Sequence, residues 1–167
     1  LALDALAIIV HPDLPLHRIA PRDLALLYRG HIADWAALEA GAGQPEVLSR
    51  EEGALARTLF EGVILQGEAL TSAALILPHD RAVVDYVASH PLAIGYASQA
   101  AVDGRVKVIS LDGLLPAVTA LEQGRYPLTY RLALLRAAAA PPAAQRLAAF
   151  AVSSPGQRAI AQRYVLP

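Results

Sequence analysis

"SREEGALARTLFE", residues 49–61, sets an arginine and two glutamates before a glycine and then begins an amphipathic run. From Glu52 to about Val63 the apolar residues Ala56, Leu59, Phe60 and Val63 recur at helical spacing, so the stretch predicts a helix with one buried face. Just before it, "PEVLS" (45–49) has the composition of a short buried strand. A strand that turns through a glycine into a helix is the unit from which α/β sheets are built. The start of such a helix carries free backbone N–H groups and a positive dipole end, which can hold an anion.

Outward from this unit the same alternation continues. "ALAIIV" (5–10) reads as a buried strand ended by His11-Pro12-Asp13. Pro21 opens a helix with Leu24, Leu27 and Tyr28 on one face, and Gly30 closes it. Asp80 is expected to cap a further helix whose inner face is Val83, Val84 and Val87. "LAIGY" (92–96) and "VKVIS" (106–110) read as strands, 114–123 as a helix, and "TYRLALL" (129–135) as a strand. Two C-terminal helices follow. The first carries Leu147, Phe150 and Ala151 on one face, and the second opens with Ser154 as cap, Pro155 at the first position and Gln157 completing a capping box. The alternation predicts an α/β fold with parallel pairing. "AAAAPPAA" (137–144) is the one hinge-like stretch by composition.

Composition narrows the function classes. At 167 residues the chain is one domain or a piece of a two-lobed one. Its hydrophobic share of 55% and charged share of 17% lie above and below the usual values of about 45–50% and about 25%, which fits a surface covered by another body. A net charge of −1 with no cluster of Lys and Arg argues against a nucleic-acid groove. With no cysteine there is neither a disulfide framework nor a thiolate metal site, a usage that fits an extracytoplasmic protein. With no methionine, Leu1 is expected to follow a processing or cut point, with any signal peptide gone. No membrane span is expected, since "LALDALAIIV" is short and holds Asp4 and the run 137–144 is broken by Pro141 and Pro142.

The histidines at 11, 17, 31, 79 and 90 show no metal-ligand spacing, and no cofactor is expected. Trp35 and Tyr96 read as packing residues. Ser49, Ser153 and Ser154 lack the nucleophile-elbow pattern, so an enzyme is not expected.

Six segments together resemble the phosphate-binding proteins that feed ABC transporters, within the type II periplasmic solute-binding fold. They are "ALDALAIIVHPDLP", "LYRGHIADW", "VLSREEGALARTLFE", "AVVDYVASHPLAIGYAS", "GRYPLTYRLALL" and "SSPGQRAIAQRYVLP", in the family's order along the whole chain. The resemblance implies a second-lobe-like α/β domain over 1–136, with a mixed, mostly parallel sheet flanked by helices and crossing strands at 1–10 and 129–135. It implies that 137–167 are the C-terminal helices that return to the first lobe, and that the first lobe itself is cut away, supplied by another chain or dispensed with. An ABC permease is an implied partner and an extracytoplasmic location is implied with it.

The family's anion loop reads arginine, acid, glycine, serine, glycine, threonine. Its likeness here places Arg50 at the arginine, Glu52 at the acid and Gly53 at the first glycine, with Ala54, Leu55 and Ala56 where Ser, Gly and Thr stand. An arginine fork pairs with oxyanion oxygens, an acid accepts the proton of a protonated oxyanion, and hydroxyls and helix-start amides donate the rest. Losing two hydroxyl bonds to a charged ligand removes roughly 3–6 kcal/mol. A site near about 1 μM would then weaken to between about 0.1 mM and tens of mM. Leu55 adds bulk where glycine lets the backbone approach the ligand. Phosphate or a similar oxyanion is therefore expected to bind weakly or not at all. The competing expectation is a repurposed interaction, sensory or structural module of a cell-surface assembly.

Overall fold

A computed structural model describes residues 1–166. The elements run β1 (Ala2–Val10), β2 (Arg18–Ile19), α1 (Pro21–Tyr28), β3 (Glu46–Arg50), α2 (Leu55–Phe60), β4 (Leu75–Leu77), α3 (Asp80–Ser89), β5 (Ala93–Ser98), β6 (Lys107–Leu111), α4 (Val118–Glu122), β7 (Thr129–Leu132), α5 (Pro142–Val152) and α6 (Ser154–Ile160). One sheet takes the order β2-β6-β1-β5-β3-β4, with β7 paired to β1. β1 is antiparallel to β5, β6 and β7, while β2–β6, β3–β4 and β3–β5 are parallel. Every strand but β1 therefore points the same way, the mixed, mostly parallel sheet expected from the sequence.

Every residue of β1 is buried, and from Leu6 to Val10 alternation sorts them between two cores. Leu6, Ile8 and Val10 join Leu24, Leu27, Tyr28, Trp35 and Phe60 on one face of the sheet. Ala7 and Ile9 join Leu48 and the Val83, Val84 and Val87 stripe of α3 on the other. A strand buried on both faces must be apolar throughout, which is why "ALAIIV" shows no polar alternation. Gly95 lies where β5 passes under α3: a Cβ built there would sit 2.5 Å from Val83 Cγ1. Trp35 is fully buried, and its indole N–H donates to the Leu92 carbonyl at 3.1 Å.

Several boundaries differ from the sequence reading, each for a local reason. The helix expected from Glu52 begins at Leu55, because Gly53 takes φ +82° and turns the chain first. Past Phe60 it widens to a π-helical turn over Glu61–Leu65. Cap positions are off by one at two helices. His79, not Asp80, caps α3 through Nδ1, which accepts the Ala82 N–H at 3.0 Å. Ser153, not Ser154, caps α6 by accepting the Gly156 N–H. The helix expected from 114 starts at Val118, after Pro116, and β7 ends at Leu132 rather than 135. The short strands β2 and β4 carried no sequence signal; each is held by a parallel neighbour.

Candidate functional site

β3, β4 and β5 end at the same edge of the sheet, and β1 begins there because it runs the opposite way. The parallel register sets Arg50 beside Leu77, so the turn after β3 and the turn into α3 lie side by side. Arg50 is the residue most fully engaged at this edge. Its Nε donates to the Leu77 carbonyl at 3.2 Å, one terminal nitrogen donates to the Pro78 carbonyl at 2.9 Å, and the other pairs with the Asp80 carboxylate. Its side chain is 11% exposed. Its carboxylate partner is thus Asp80, thirty positions on at the start of α3, and not the adjacent Glu51 or Glu52.

The loop it leads into is open. Glu51, Glu52 and Gly53 are exposed, Ala54 is half-buried, and Leu55 projects into solvent at 59% exposure. Ala56 turns inward and packs in the core with Phe60. Ala54 occupies the cap position of α2 and makes no side-chain cap bond. The first helical bond runs from the Thr58 N–H to the Ala54 carbonyl, so the N–H groups of Leu55, Ala56 and Arg57 precede it. Of the six residues singled out from the sequence, Arg50 is thus tied to β4, Glu52 and Gly53 border the open turn, and Ala54, Leu55 and Ala56 offer main chain only.

Arg57 was not singled out, yet it stands at the same turn. Its guanidinium donates to the Arg50 carbonyl at 3.2 Å and to Glu61 at 2.7 Å, and the Glu61 bond holds its pKa above the usual arginine value. Beneath the turn, Tyr96 stacks on Phe60 with ring centroids 4.2 Å apart. The Tyr96 hydroxyl lies 2.8 Å from Ser49 Oγ and accepts the Arg50 N–H at 3.4 Å. Burial pushes its pKa up, and those two bonds offset part of the rise.

A second polar group closes the same edge. Asp4, buried on β1, accepts from Ser98 Oγ at 2.5 Å and from the Tyr130 hydroxyl at 2.7 Å through one oxygen, and from the Ala5 N–H at 2.8 Å through the other. It thereby joins β1, β5 and β7. Burial first, and the Asp4 bond second, raise the Tyr130 pKa. A depression of about 750 Å³ lies beside this group, lined in part by Asp4, Arg81, Gln99, Asp103 and Arg163; it includes none of residues 50–56. Among the described residues no group of three or more His, Asp or Glu side chains is placed to hold a metal ion. No helix among them is long and apolar enough to cross a membrane.

No local pattern marks Asp80 or Asp4 as members of this edge. Asp80 reaches Arg50 only because β3 and β4 pair in parallel, and Asp4 reaches Ser98 only through the β1–β5 pairing.

The PBP superfamily domain matches residues 1–155. Sequence comparison with curated proteins finds no significant match. Among solved structures, the chain is similar to a Clostridium perfringens protein assigned as a phosphate ABC transporter substrate-binding protein and solved with bound phosphate. The TM-score is 0.92 at 24% identity, over 99% of this chain and 69% of that one. It is also similar to an ABC-type phosphate transport receptor from Vibrio cholerae, with a TM-score of 0.80 at 22% identity over 99% and 70% of the two chains. PstS from Borrelia burgdorferi gives a TM-score of 0.72 at 17% identity, over 97% and 68%.

Proposed function

The chain belongs to the PBP superfamily, and from that premise we propose that it is an extracytoplasmic solute-binding-like domain whose turn at 50–56 takes a phosphate-class oxyanion weakly. The observation that carries this reading is the turn itself. An arginine ends β3, a left-handed glycine follows at φ +82°, and a helix start with three leading N–H groups comes next. Backbone N–H groups at a helix start favour an anion, and the dipole adds about 0.3–1 kcal/mol. Weakness follows from Ala54, Leu55 and Ala56, which supply no hydroxyl, and from the exposed Leu55 side chain at the mouth. The role is binding rather than catalysis, in line with structural relatives described as phosphate transport proteins.

Titration calorimetry with phosphate, sulfate and other oxyanions on the complete native protein tests this. Saturable heat in the range of about 0.1 mM to tens of mM supports it. Absence of saturable heat up to about 100 mM ligand removes it.

A second reading, a repurposed interaction module, is favoured by a different observation. α5 is an apolar helix with no buried residue; Leu147 is 59% and Phe150 52% exposed. Such a face calls for a cover, either a further lobe on the same or another chain or an unrelated partner. In this reading the domain serves an assembly, with or without an ABC permease, and the anion turn is a remnant. A native protein that runs as a monomer and brings no partner with it counts against this second reading.

A further inference from the structure

We infer that α3 is a proton-responsive helix whose start loosens in acid while its end holds. His79 caps the start only as neutral imidazole, and His90 closes the end in either charge state.

An amide N–H can only donate, so His79 Nδ1, 3.0 Å from the Ala82 nitrogen, accepts with its lone pair. The neutral ring therefore carries its proton on Nε2. A second proton must go to Nδ1, where it consumes the lone pair that makes the cap. It also places a positive charge at the positive end of the helix dipole. The Ala82 N–H keeps another acceptor, the His79 carbonyl at 3.0 Å, so the turn loosens rather than unwinds.

The other end of α3 is built the opposite way. A carbonyl can only accept, so His90 Nδ1, 2.8 Å from the Tyr86 carbonyl oxygen, donates. The neutral ring carries its proton on Nδ1, and a second proton goes to Nε2, which leaves that bond in place. The added charge then stands at the C-terminal end of the helix dipole. It also lies against the Tyr86 ring, which stacks on the imidazole with centroids 3.6 Å apart and planes 6° apart.

The charged groups around the helix start are paired: Asp80 with Arg50 of β3, and Arg81 with Asp85 and with Asp103 beyond β5. At the end, Tyr86 donates to Glu46 of β3 at 2.8 Å. Val83, Val84 and Val87 anchor the middle of the helix in the core. One proton signal thus acts in opposite senses on the two ends of a helix fixed at its centre, between about pH 5 and 8, where imidazole titrates.

Two measurements on the full chain test this. Imidazole nitrogen-15 resonances at about pH 8 are expected to show the Nε2–H tautomer for His79 and the Nδ1–H tautomer for His90. Amide hydrogen exchange, expressed as protection factors, is compared at about pH 8 and about pH 5. Ala82 is expected to lose protection at least about 2-fold in acid, while the His90 amide keeps or gains it. His79→Asn, whose side-chain oxygen caps without titrating, is expected to abolish the loss. The reverse tautomer at either histidine overturns the inference, and needs no variant to be seen. Protection at Ala82 that is indifferent to pH overturns it, as does a loss that persists in His79→Asn or runs in step with the last turn.

Discussion

The Tyr96 hydroxyl lies 2.8 Å from Ser49 Oγ across the β3–β5 pair and accepts the Arg50 N–H from the next residue. One phenol thus fixes the last turn of β3 just where the chain leaves the sheet. Removing only the hydroxyl strands a Ser49 side chain that is 1% exposed. Tyr96→Phe is expected to cost about 1–3 kcal/mol, the penalty of a buried polar group without its partner. Urea unfolding gives that number. Amide hydrogen exchange at Arg50 is expected to quicken in the variant by more than the global change explains.

Gly95→Ala tests the packing of β5 beneath α3. The added methyl meets Val83 Cγ1 at 2.5 Å and Leu48 Cδ1 at 3.4 Å. Overpacking a buried sheet–helix contact is expected to cost about 1–3 kcal/mol. Adding Val83→Ala is expected to recover part of the loss, a coupling that a double-mutant cycle measures.

The strand–helix alternation was legible in the sequence because β1, β5 and α3 are buried and therefore patterned: Ala5–Val10 by continuous apolarity, Val83, Val84 and Val87 by helical spacing. The turn at 50–56 was legible as a candidate because its residues are contiguous. What could not be read was anything fixed by strand order. Leu75–Leu77 is a strand only because β3 lies next to it, and the partner of Arg50 sits thirty positions away on the far side of that pairing. The cap errors at His79 and Ser153 arise where two capable residues stand side by side. Between Ser153 and Ser154 local propensity cannot choose; at 79–80 it favours Asp80, whose carboxylate is instead paired with Arg50.

Two phenylalanines offer a contrast between core and uncovered face. Phe60 is 1% exposed and stacks on Tyr96, whereas Phe150 on α5 is 52% exposed. Phe60→Ala is expected to cost about 3–5 kcal/mol. Phe150→Ser is expected to change stability by less than about 0.5 kcal/mol. A large loss at Phe150 in dilute solution would show that α5 is already covered there by another copy or chain.

Alkaline pH acts through the tyrosines. Tyr28, Tyr86, Tyr96, Tyr126 and Tyr130 all have raised pKa values; burial is the main cause for all but Tyr86, where the Glu46 bond leads. A raised folded pKa means the folded state holds its proton more tightly than the unfolded one. That stability is fully present below the unfolded value of about 10 and is lost as pH climbs through the folded values. Tyrosinate absorbance is expected to lag behind a free-tyrosine curve and then rise together with loss of far-ultraviolet helix signal. Ionisation of Tyr28, Tyr96, Tyr126 and Tyr130 near pH 10 in a folded protein would contradict the burial described.

The main chain after β3 is the proposed seat of the oxyanion. Amide resonances followed during a phosphate titration of the native protein test this most directly. Saturable shifts centred on Gly53 to Arg57, with a midpoint between about 0.1 mM and tens of mM, are the expected result. Shifts spread evenly over the surface without saturation, or a micromolar midpoint, would contradict it.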